Sequence, residues 1–352
     1  MKHKAWVDAV QRVRAGIESR FDKVRLDKNE RLTPFRDDFW RNVISGIRQE
    51  HVLAYPEVEP LYEKLGRFLG VSTEQVVITA GSDAAIKTAF DLFVKPGDEV
   101  VYLDPTFAMV DVYCGLFNAT AVRIGYGTDL RTDMRLLLET VREQVSLIIV
   151  ANPNSPTGTY IPNDELKTLL EAARRLSIPV LVDEAYYGFC PYTALDLLGE
   201  YENLIVTRTF SKTAGLAGLR IGYVVTSPDL AQLLYRFRPM YEVNSVAVHF
   251  ASAMLDNWHV VDEYIRATDE GKKCLHGALN ALSFRTIDTL TNFIHADFGV
   301  QREAILKGFD RDGILVRGSL SVKGFEGYTR ISIGPISEME KVVDSIKRSV
   351  RI

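Results

Sequence analysis

From about residue 76 onward, short apolar runs bounded by turn residues alternate with stretches long enough for helices. Strands that are apolar throughout are typical of parallel sheets, because helices cover both faces of such a sheet. The alternation therefore predicts an α/β fold with a mostly parallel sheet. The expected strands are VVITA (76–80), EVVYL (99–103), AVRIGY (121–126), LIIVA (147–151), PVLVD (179–183), NLIVTRT (203–209) and RIGYVVT (220–226). The expected helices between them include 83–94, 106–117 and 163–175.

The sequence on either side of this alternation predicts further helices and a smaller lobe. Apolar residues at helical spacing predict amphipathic helices over 5–21, 38–49 and 60–69, and one long or broken helix over 245–280. After that helix, FIHADF, ILVRGS and YTRISIG with helices between them predict an α+β lobe. We expect three parts: an N-terminal segment (1–45) that contributes to the small domain and the active-site mouth, a large domain (46–244) and a small C-terminal domain (245–352).

Composition narrows the functional classes. The formal charge of −4 gives no support for binding nucleic acid through bulk electrostatics. The N-terminus lacks the continuous apolar stretch of a signal peptide, and no run approaches the roughly 18 apolar residues of a membrane span. Cys114, Cys190 and Cys274 lie far apart and the six histidines are scattered, so we expect neither disulfides nor a metal site. The sequence predicts a cytoplasmic protein.

The polar residues directly after the apolar runs are the candidate site, because ligands bind at the carboxyl ends of parallel strands. Gly81, Ser82 and Asp83 open a helix and leave N–H and hydroxyl groups for an anion, although Ser and Asp also serve as plain helix caps. Phe107 is placed either to stack on a flat ligand or to join the core. Asn154, in NPNSPTG, is placed either to bond a ligand or to close a turn.

Two later segments add charged groups to the same edge of the sheet. Asp183 ends a buried strand, where a carboxylate needs either a structural cation or the protonated ring nitrogen of a cofactor, and Tyr186 lies three residues on. Lys212 stands among small and apolar residues that favour an uncharged, nucleophilic amine, and Arg220 suits a phosphate. A cofactor with a phosphate, a basic ring nitrogen and an aldehyde uses all of these groups, and pyridoxal 5′-phosphate is that cofactor.

NPNSPTG, DEAYYGF and SKTAGLAGLRIGY, in this order and spacing, resemble the class I/II aminotransferases of fold type I, and especially their histidinol-phosphate aminotransferase branch. LDKNE, YPEVEPLYEKLGRFLGV, GSDAAIK and TRISIG support this resemblance over nearly the whole chain. The resemblance implies a fold-type I transferase dependent on pyridoxal phosphate. Such a fold has a mostly parallel sheet with helices on both faces and a smaller α+β domain.

The resemblance also implies roles around the cofactor. Lys212 would bind the cofactor covalently, Asp183 would pair with the ring nitrogen, and Tyr186 would hydrogen-bond the ring O3′. The residues implied around the phosphate are Gly81, Ser82, Asp83, Ser211 and Arg220. Relatives often have Asn directly before PTG, where this chain has Ser155, so the second O3′ contact falls either to Asn154 or to the Ser155 hydroxyl.

Further implied roles concern ring stacking, the substrate and a second subunit. Phe107 would stack on the ring, and Tyr55 would reach the cofactor phosphate of a neighbouring subunit, which implies a homodimer with shared sites. Arg330 would bind the substrate carboxylate and Arg317 a distal substrate phosphate, although Arg317 also fits a solvated surface residue. Asn29 is assigned to the substrate pocket, where the loop sequence NERLTPF departs from the NENP of many relatives.

The implied reaction moves an amino group between a small phosphorylated amine or amino acid, similar to histidinol phosphate, and 2-oxoglutarate or glutamate. Two cationic anchors, Arg330 and Arg317, fit a substrate of that kind. The alternative is a pyridoxal-phosphate-dependent decarboxylase of O-phosphoserine or O-phosphothreonine. The cofactor cleaves whichever Cα bond lies perpendicular to its ring, so the same fold serves both reactions.

Overall fold

The computed structural model describes residues 2–11, 19–318 and 322–350. Its strands are Val24–Leu26 (β1), Val76–Thr79 (β2), Glu99–Asp104 (β3), Thr120–Gly125 (β4), Val145–Ala151 (β5), Val180–Asp183 (β6), Leu204–Thr209 (β7), Gly222–Thr226 (β8), Arg285–Ile287 (β9), Phe293–Asp297 (β10), Ile314–Gly318 (β11) and Tyr328–Ser332 (β12). Its α-helices are Asp37–Ser45 (α1), Glu50–Leu53 (α2), Glu59–Leu69 (α3), Ser82–Phe93 (α4), Met109–Phe117 (α5), Met134–Glu139 (α6), Asn163–Arg174 (α7), Pro228–Phe237 (α8), Ser245–Asp256 (α9), His259–Ala281 (α10), Arg302–Arg311 (α11) and Ile336–Ser349 (α12).

The larger sheet has the strand order β2-β8-β7-β6-β5-β3-β4. The five strands from β7 to β4 run parallel to one another, and β8 runs antiparallel to both of its neighbours. All seven apolar runs of the sequence are strands of this sheet. The prediction of a mostly parallel sheet is therefore confirmed.

Successive residues of the central strands pack into separate cores on opposite faces of this sheet. Ile148 and Val150 of β5 lie in the core beneath α7, whereas Leu147 and Ile149 lie in the core beneath α4 and α5. Side chains alternate sides along a strand, so a strand covered on both faces must be apolar at every position. This is the physical reason that uninterrupted apolar runs marked these strands.

The smaller sheet has the order β1-β11-β12-β10-β9. Its apolar residues pack with α10, α11 and α12 in a core of their own. The strand β1 comes from the N-terminal segment and pairs in parallel with β11, nearly 300 residues later in the chain. The sequence missed β1 and β9 because three residues are too few to show a period.

The predicted helix over 5–21 is wrong where the structure describes it. Ala5–Ala9 forms a short 3₁₀ helix and Val10 is extended, while residues 12–18 lie outside the described residues. The Trp6 indole donates a hydrogen bond to the carbonyl of Leu116 (3.0 Å), and Val10 contacts the backbone at Gly115. Docking onto the end of α5 thus overrides the local helical pattern.

The predicted helix over 245–280 is broken into α9 and α10 at Asn257. The first turn of α10 places Val260 and Val261 in the core shared with β2, β8 and α3. Its last turns place Leu275 and Leu279 in the core of the smaller sheet. The helix α10 therefore joins the two sheets, and the proposed domain boundary at residue 245 stays a prediction.

Candidate active site

Asp183 ends β6 at the carboxyl edge of the larger sheet, in register with Ala151 and Thr207 on the neighbouring strands. Its side chain is 5% exposed, and its Oδ1 has no hydrogen-bond partner among the described residues. Burial raises the pKa of this carboxyl to about 7; a hydrogen bond from the backbone of Ala185 and the charge of Lys212 act in the opposite direction. A buried carboxylate without a counter-ion indicates a site for a cationic ligand group.

Lys212 follows β7 and is half-buried. Its Nζ donates a hydrogen bond to the backbone carbonyl of Lys28 (2.8 Å) at a position that solvent reaches. The apolar residues of its segment do not enclose the amine; Ala214 and Leu216 are buried in the core and fix the loop instead. The expectation of a dry apolar pocket around the amine is thus corrected, since those side chains anchor the backbone.

The start of α4 and the loop before β8 meet at two glycines. Gly81 has a positive φ of 87°, and a Cβ on Gly222 would lie 2.9 Å from the Gly81 Cα, so both positions need glycine. The guanidinium of Arg220 lies beside this turn, where a Cβ on Gly81 would stand 3.1 Å from Nη2. The result is an arginine next to the N-terminus of a twelve-residue helix, an arrangement that binds anions.

Three side chains border this helix start. Ser82 is the first residue of α4, and the carboxylate of Asp83 accepts a hydrogen bond from the Tyr113 hydroxyl (2.9 Å). Ser211 is 7% exposed, and its Oγ accepts a hydrogen bond from Thr209 (2.9 Å). Of these groups, Ser82 at the helix start and the Arg220 guanidinium beside Gly81 are suited to a phosphate.

Asn154 and Ser155, the two candidates left open by the sequence, have different surroundings. The Asn154 amide donates to Thr157 Oγ1 (2.7 Å) and to the Pro105 carbonyl (3.0 Å), and its oxygen accepts from Thr106 (2.6 Å). Its side chain is fully buried and closes the turn. Ser155 is only partly buried, and its Oγ accepts from Arg330 Nη1 (3.3 Å).

Asn29 is 2% exposed and adopts the left-handed region at φ 57°. Its Nδ2 donates to the hydroxyl of Tyr186 (2.7 Å), and its Oδ1 accepts from Ser332 (2.7 Å). Its backbone N–H and carbonyl bond to Ser332 and Asn292. Because one N–H of the Asn29 amide donates to the Tyr186 hydroxyl and the amide oxygen is held by Ser332, the residue orients Tyr186 in this structure.

Arg330 and Arg317 stand directly opposite each other on β12 and β11. Arg330 is partly buried and donates to the carbonyl of Asp27 (2.6 Å) as well as to Ser155. Burial lowers the pKa of its guanidinium, and the charge of Arg317 acts in the same direction. Within the described residues, no carboxylate lies at ion-pair distance from either arginine. Two facing cations without an anion indicate an anionic ligand.

Phe107 and Tyr55 are the two aromatic candidates, and both are exposed. Phe107 is 37% exposed and precedes α5, so it does not belong to the core. Tyr55 is 73% exposed and stacks on Tyr241, with ring centroids 4.0 Å apart. An exposed aromatic pair of this kind is free to contact another molecule.

Sequence reasoning missed two features beside the site. His295 on β10 lies directly opposite Arg330 and is fully buried; one ring nitrogen bonds to the Pro156 carbonyl (2.8 Å), and burial lowers the pKa of the ring to about 4. Glu184 and Arg208 form a buried ion pair directly beyond Asp183. His295 gave no signal in the sequence, since one histidine in a strand fits any core. The Glu184–Arg208 pair gave none because its members are 24 residues apart.

The family model described as "Aminotransferase class I and II" matches residues 28–346. The chain belongs to this family. It is a pyridoxal-phosphate-dependent transaminase of the fold-type I class, as predicted. Within the described residues, no helix is long and apolar enough to span a membrane, and no group of three or more His, Cys, Asp or Glu side chains is placed to hold a metal ion.

Several relatives of this aminotransferase are similar over most of their length. The histidinol-phosphate aminotransferase of Thermoanaerobacter sp. (strain X514) is 31% identical over 92% of both chains. The crystal structure of histidinol-phosphate aminotransferase from Sinorhizobium meliloti in complex with pyridoxal-5′-phosphate is 26% identical, with a TM-score of 0.83 over 93% of this chain and 90% of that one. Aspartate aminotransferase from Thermus thermophilus, at 18% identity and a TM-score of 0.79 over 99% of this chain and 100% of that one, shares the fold. These relatives do not favour the decarboxylase alternative.

The residues of the aminotransferase fit its cofactor. The unpartnered Oδ1 of Asp183 is suited to a protonated ring nitrogen, and the glycine turn at Gly81 with Arg220 is suited to a phosphate. Lys212 lies on the loop between β7 and β8, and in the described residues its amine bonds to a backbone carbonyl alone, so it is available to an aldehyde.

Proposed function

We propose that this aminotransferase transfers the amino group of a small phosphorylated amine or amino acid, of the histidinol phosphate kind, to 2-oxoglutarate. The observation that carries the proposal is the facing pair of Arg330 and Arg317, which has no acidic partner in the described residues. A substrate with two anionic groups, or with a phosphate and a polar end, neutralises both cations. The names of the relatives support the same substrate class.

We propose that Asp183 pairs with the ring nitrogen, and that Gly81, Ser82, Asp83, Ser211 and Arg220 surround the phosphate through backbone or side-chain groups. Phe107, which is exposed beside the turn that holds Asn154, covers one face of the ring. When bound, pyridoxal 5′-phosphate supplies an aldehyde that reacts with amines and a ring that withdraws electrons from the substrate Cα bonds.

Lys212 is the proposed base. Its Nζ takes the proton from the substrate Cα when the amine is not bonded to the cofactor. The carbonyl of Lys28 accepts one N–H of this amine and leaves the lone pair of a neutral amine directed elsewhere. The carbonyl therefore holds the amine in place.

Tyr186 and Ser155 are the proposed contacts of the ring O3′. Asn29 donates to the Tyr186 hydroxyl, so the phenol keeps its own proton for donation to an oxygen. Ser155 is favoured over Asn154 because the amide groups of Asn154 are all used in closing the turn. Asn29 is a positioning residue in this proposal through its contact with Tyr186, and its place at the substrate pocket stays a prediction.

The proposed assembly is a homodimer in the cytoplasm. Val52, Leu53, Tyr55, Met240 and Tyr241 form an exposed apolar surface around α2 and the end of α8. Burying such a surface against a second copy would remove it from water and bring Tyr55 to the partner's cofactor phosphate. The free thiols of the three described cysteines suit a reducing compartment.

A half-reaction with each amino donor tests the substrate proposal. Histidinol phosphate, added without an acceptor, is expected to shift the visible absorbance of the bound cofactor, and 2-oxoglutarate is expected to restore it. Histidinol without the phosphate is the matched control and should require a much higher concentration. Carbon dioxide release from O-phosphoserine or O-phosphothreonine, with no absorbance change from histidinol phosphate, would contradict the proposal.

A further inference from the structure

Two consecutive carboxylate residues stand at the end of β6, and their hydrogen-bonding surroundings differ. Asp183 is 5% exposed and its Oδ1 has no partner in the described part of the chain. Glu184 is 3% exposed, and both of its oxygens are bonded within the protein. Two adjacent buried negative charges repel each other, so something must balance the second one.

Arg208 on β7 balances Glu184. Its Nε donates to Glu184 Oε2 (2.9 Å), and both side chains are 3% exposed. The Thr193 hydroxyl bonds to the Glu184 carboxylate (2.9 and 3.0 Å) and accepts from Arg208 Nη2 (2.6 Å), while the N–H of Ala194 donates to Glu184. The carboxylate therefore has donors on both oxygens and is held in one orientation.

The arginine is held equally firmly. Its guanidinium lies 3.4 Å from the centroid of the Tyr187 ring. Arg208 is also paired in register with Tyr223 on β8. Burial disfavours the Arg208 cation, but Tyr223, Glu184 and Tyr187 outweigh it and raise the pKa of the guanidinium. Arg208 thus stays charged.

The backbone ties this pair to Asp183. Asp183 lies in register with Thr207, the residue before Arg208, and the N–H of Glu184 donates to the Thr207 carbonyl (2.8 Å). The charged groups that act on Asp183 are Glu184 on the same strand, Lys212 from the loop after β7 and Asp83 from α4. Glu184 and Asp83 disfavour the ionised form of Asp183, and Lys212 favours it.

A buried ion pair is a poor source of stability, because apolar residues of the same volume stabilise a fold as well or better. Its electrostatic effect on a neighbour is different. The pair as a whole carries no net charge, although Glu184 by itself disfavours the ionised form of Asp183. With either partner neutralised, one full charge remains in a region of low dielectric constant.

We propose that Glu184 and Arg208 are positioning residues for the cofactor: as a neutral pair locked behind Asp183, they set the pH at which the ring nitrogen held by Asp183 loses its proton. This inference rests on the proposed role of Asp183. It adds two residues that do not touch the cofactor to the groups that control its electron-withdrawing form.

The test is the titration of the ring nitrogen in the holoenzyme, loaded with pyridoxal 5′-phosphate that carries ¹⁵N in the ring and followed by ¹⁵N NMR. Arg208→Gln leaves Glu184 negative, since Thr193 and Ala194 still donate to it, and should raise the titration midpoint by about one pH unit. Glu184→Gln leaves Arg208 positive and should lower the midpoint by a similar amount. The double variant E184Q/R208Q should return it close to the wild-type value.

A purely structural role makes a different prediction. Loss of packing would shift the titration midpoint in the same direction in both single variants, or would not shift it. Either result overturns the inference. Arg208→Lys keeps the charge but loses the planar fork, so it should lower thermal stability while leaving the midpoint within a few tenths of a unit. If R208Q does not fold, E184Q and R208K serve as the test. An unchanged midpoint in E184Q overturns the inference, and so does a midpoint that shifts as far in R208K as in E184Q.

Asp183→Asn separates this inference from the proposed function. If the ring nitrogen keeps its proton in D183N, the role of Asp183 itself is wrong. If D183N loses the proton but R208Q and E184Q fail to shift in opposite directions, the role of Asp183 stands and only the ion pair loses its assignment.

Discussion

The edge of the larger sheet and the face of the smaller sheet leave opposite charges unpaired. At the first, Asp183 is a buried carboxylate whose Oδ1 has no partner in the described residues. At the second, Arg330 faces Arg317, and among the described residues neither arginine has an acidic partner at ion-pair distance. Each region is costly on its own, and a ligand of opposite charge relieves each one.

The two unpaired charges fit the proposed function, in which Asp183 holds a cationic ring and Arg330 binds an anionic substrate. The segment from Asp27 to Asn29 lies between them: consecutive residues contact Arg330, Lys212 and Tyr186. The N-terminal segment therefore links the cofactor side of the site to the substrate side.

Lys212→Ala should abolish both the covalent attachment of the cofactor and the catalytic base. The amine supplies both the covalent bond and the base, so the transamination rate should fall by about 10⁴-fold or more. Borohydride reduction followed by mass spectrometry should find the cofactor attached to wild-type protein and absent from the variant. Lys28→Ala is the control, because its carbonyl rather than its side chain meets Lys212. A K212A protein labelled as fully as wild type would assign the bond to another lysine.

Asp183→Asn should change how the stability of the cofactor-free chain depends on pH. Burial raises the folded pKa of Asp183 to about 7, so between pH 4 and 7 the folded state holds a proton that the unfolded chain releases. The stability that this neutral carboxyl contributes is complete below pH 4 and is lost as pH rises through 7, a change of about 4 kcal/mol. Urea unfolding at pH 5 and 7.5 should show about 2.5 kcal/mol of this loss in wild type and a much flatter profile in D183N.

The control for that experiment is Asp288→Asn. The neighbouring His276 ring, whose Nε2 lies 3.6 Å from Asp288 Oδ1, helps to lower the pKa of Asp288 to about 2. The contribution of Asp288 to stability is therefore present above pH 4 and is lost only as pH falls towards 2. D288N should leave the change between pH 5 and 7.5 intact. An equally flat profile in D288N would place the titrating group elsewhere.

Arg330→Met and Arg317→Met should separate the two cations of the substrate side. Arg330 is partly buried and fixed by Asp27 and Ser155, so its loss should lower kcat/KM by about 100-fold. Arg317 is exposed, and its loss should cost about 10-fold, mainly in KM for the phosphorylated substrate. Arg175→Met, at an exposed position directly after α7, should change neither constant. Equal effects of R317M on phosphorylated and unphosphorylated donors would remove Arg317 from the phosphate site.

Asn29→Ala and Asn29→Gly should give the smallest effects and divide the role of Asn29 into two parts. Both variants lose the hydrogen bond to Tyr186, but only Ala is strained at φ 57°. The free energy of unfolding of N29A should therefore be about 1 kcal/mol lower than that of N29G. Both should share one shift in the pH profile of the cofactor absorbance, since both lose the Tyr186 contact. Different profiles would mean that the backbone, and not the amide, positions Tyr186.

The sequence predicted the cofactor side better than the substrate side, and particular residues show why. Asp183 and Lys212 each follow a strand of one parallel sheet, so local pattern and sheet geometry together place them on one edge. Asn29 reaches Tyr186 across 157 positions, and Ser155 reaches Arg330 across 175. No periodicity in the chain encodes such contacts.

By itself, the sequence determined the strands of the larger sheet, their mostly parallel order, the family and the residue types at the sheet edge, because these follow from local hydrophobic period and from short motifs. Only the tertiary structure decided that the Lys212 amine meets the carbonyl of Lys28, that Asn154 closes a turn, and that Arg208 neutralises Glu184. Hydrogen bonds and ion pairs depend on distances of about 3 Å between groups far apart in the chain, and packing alone sets those distances.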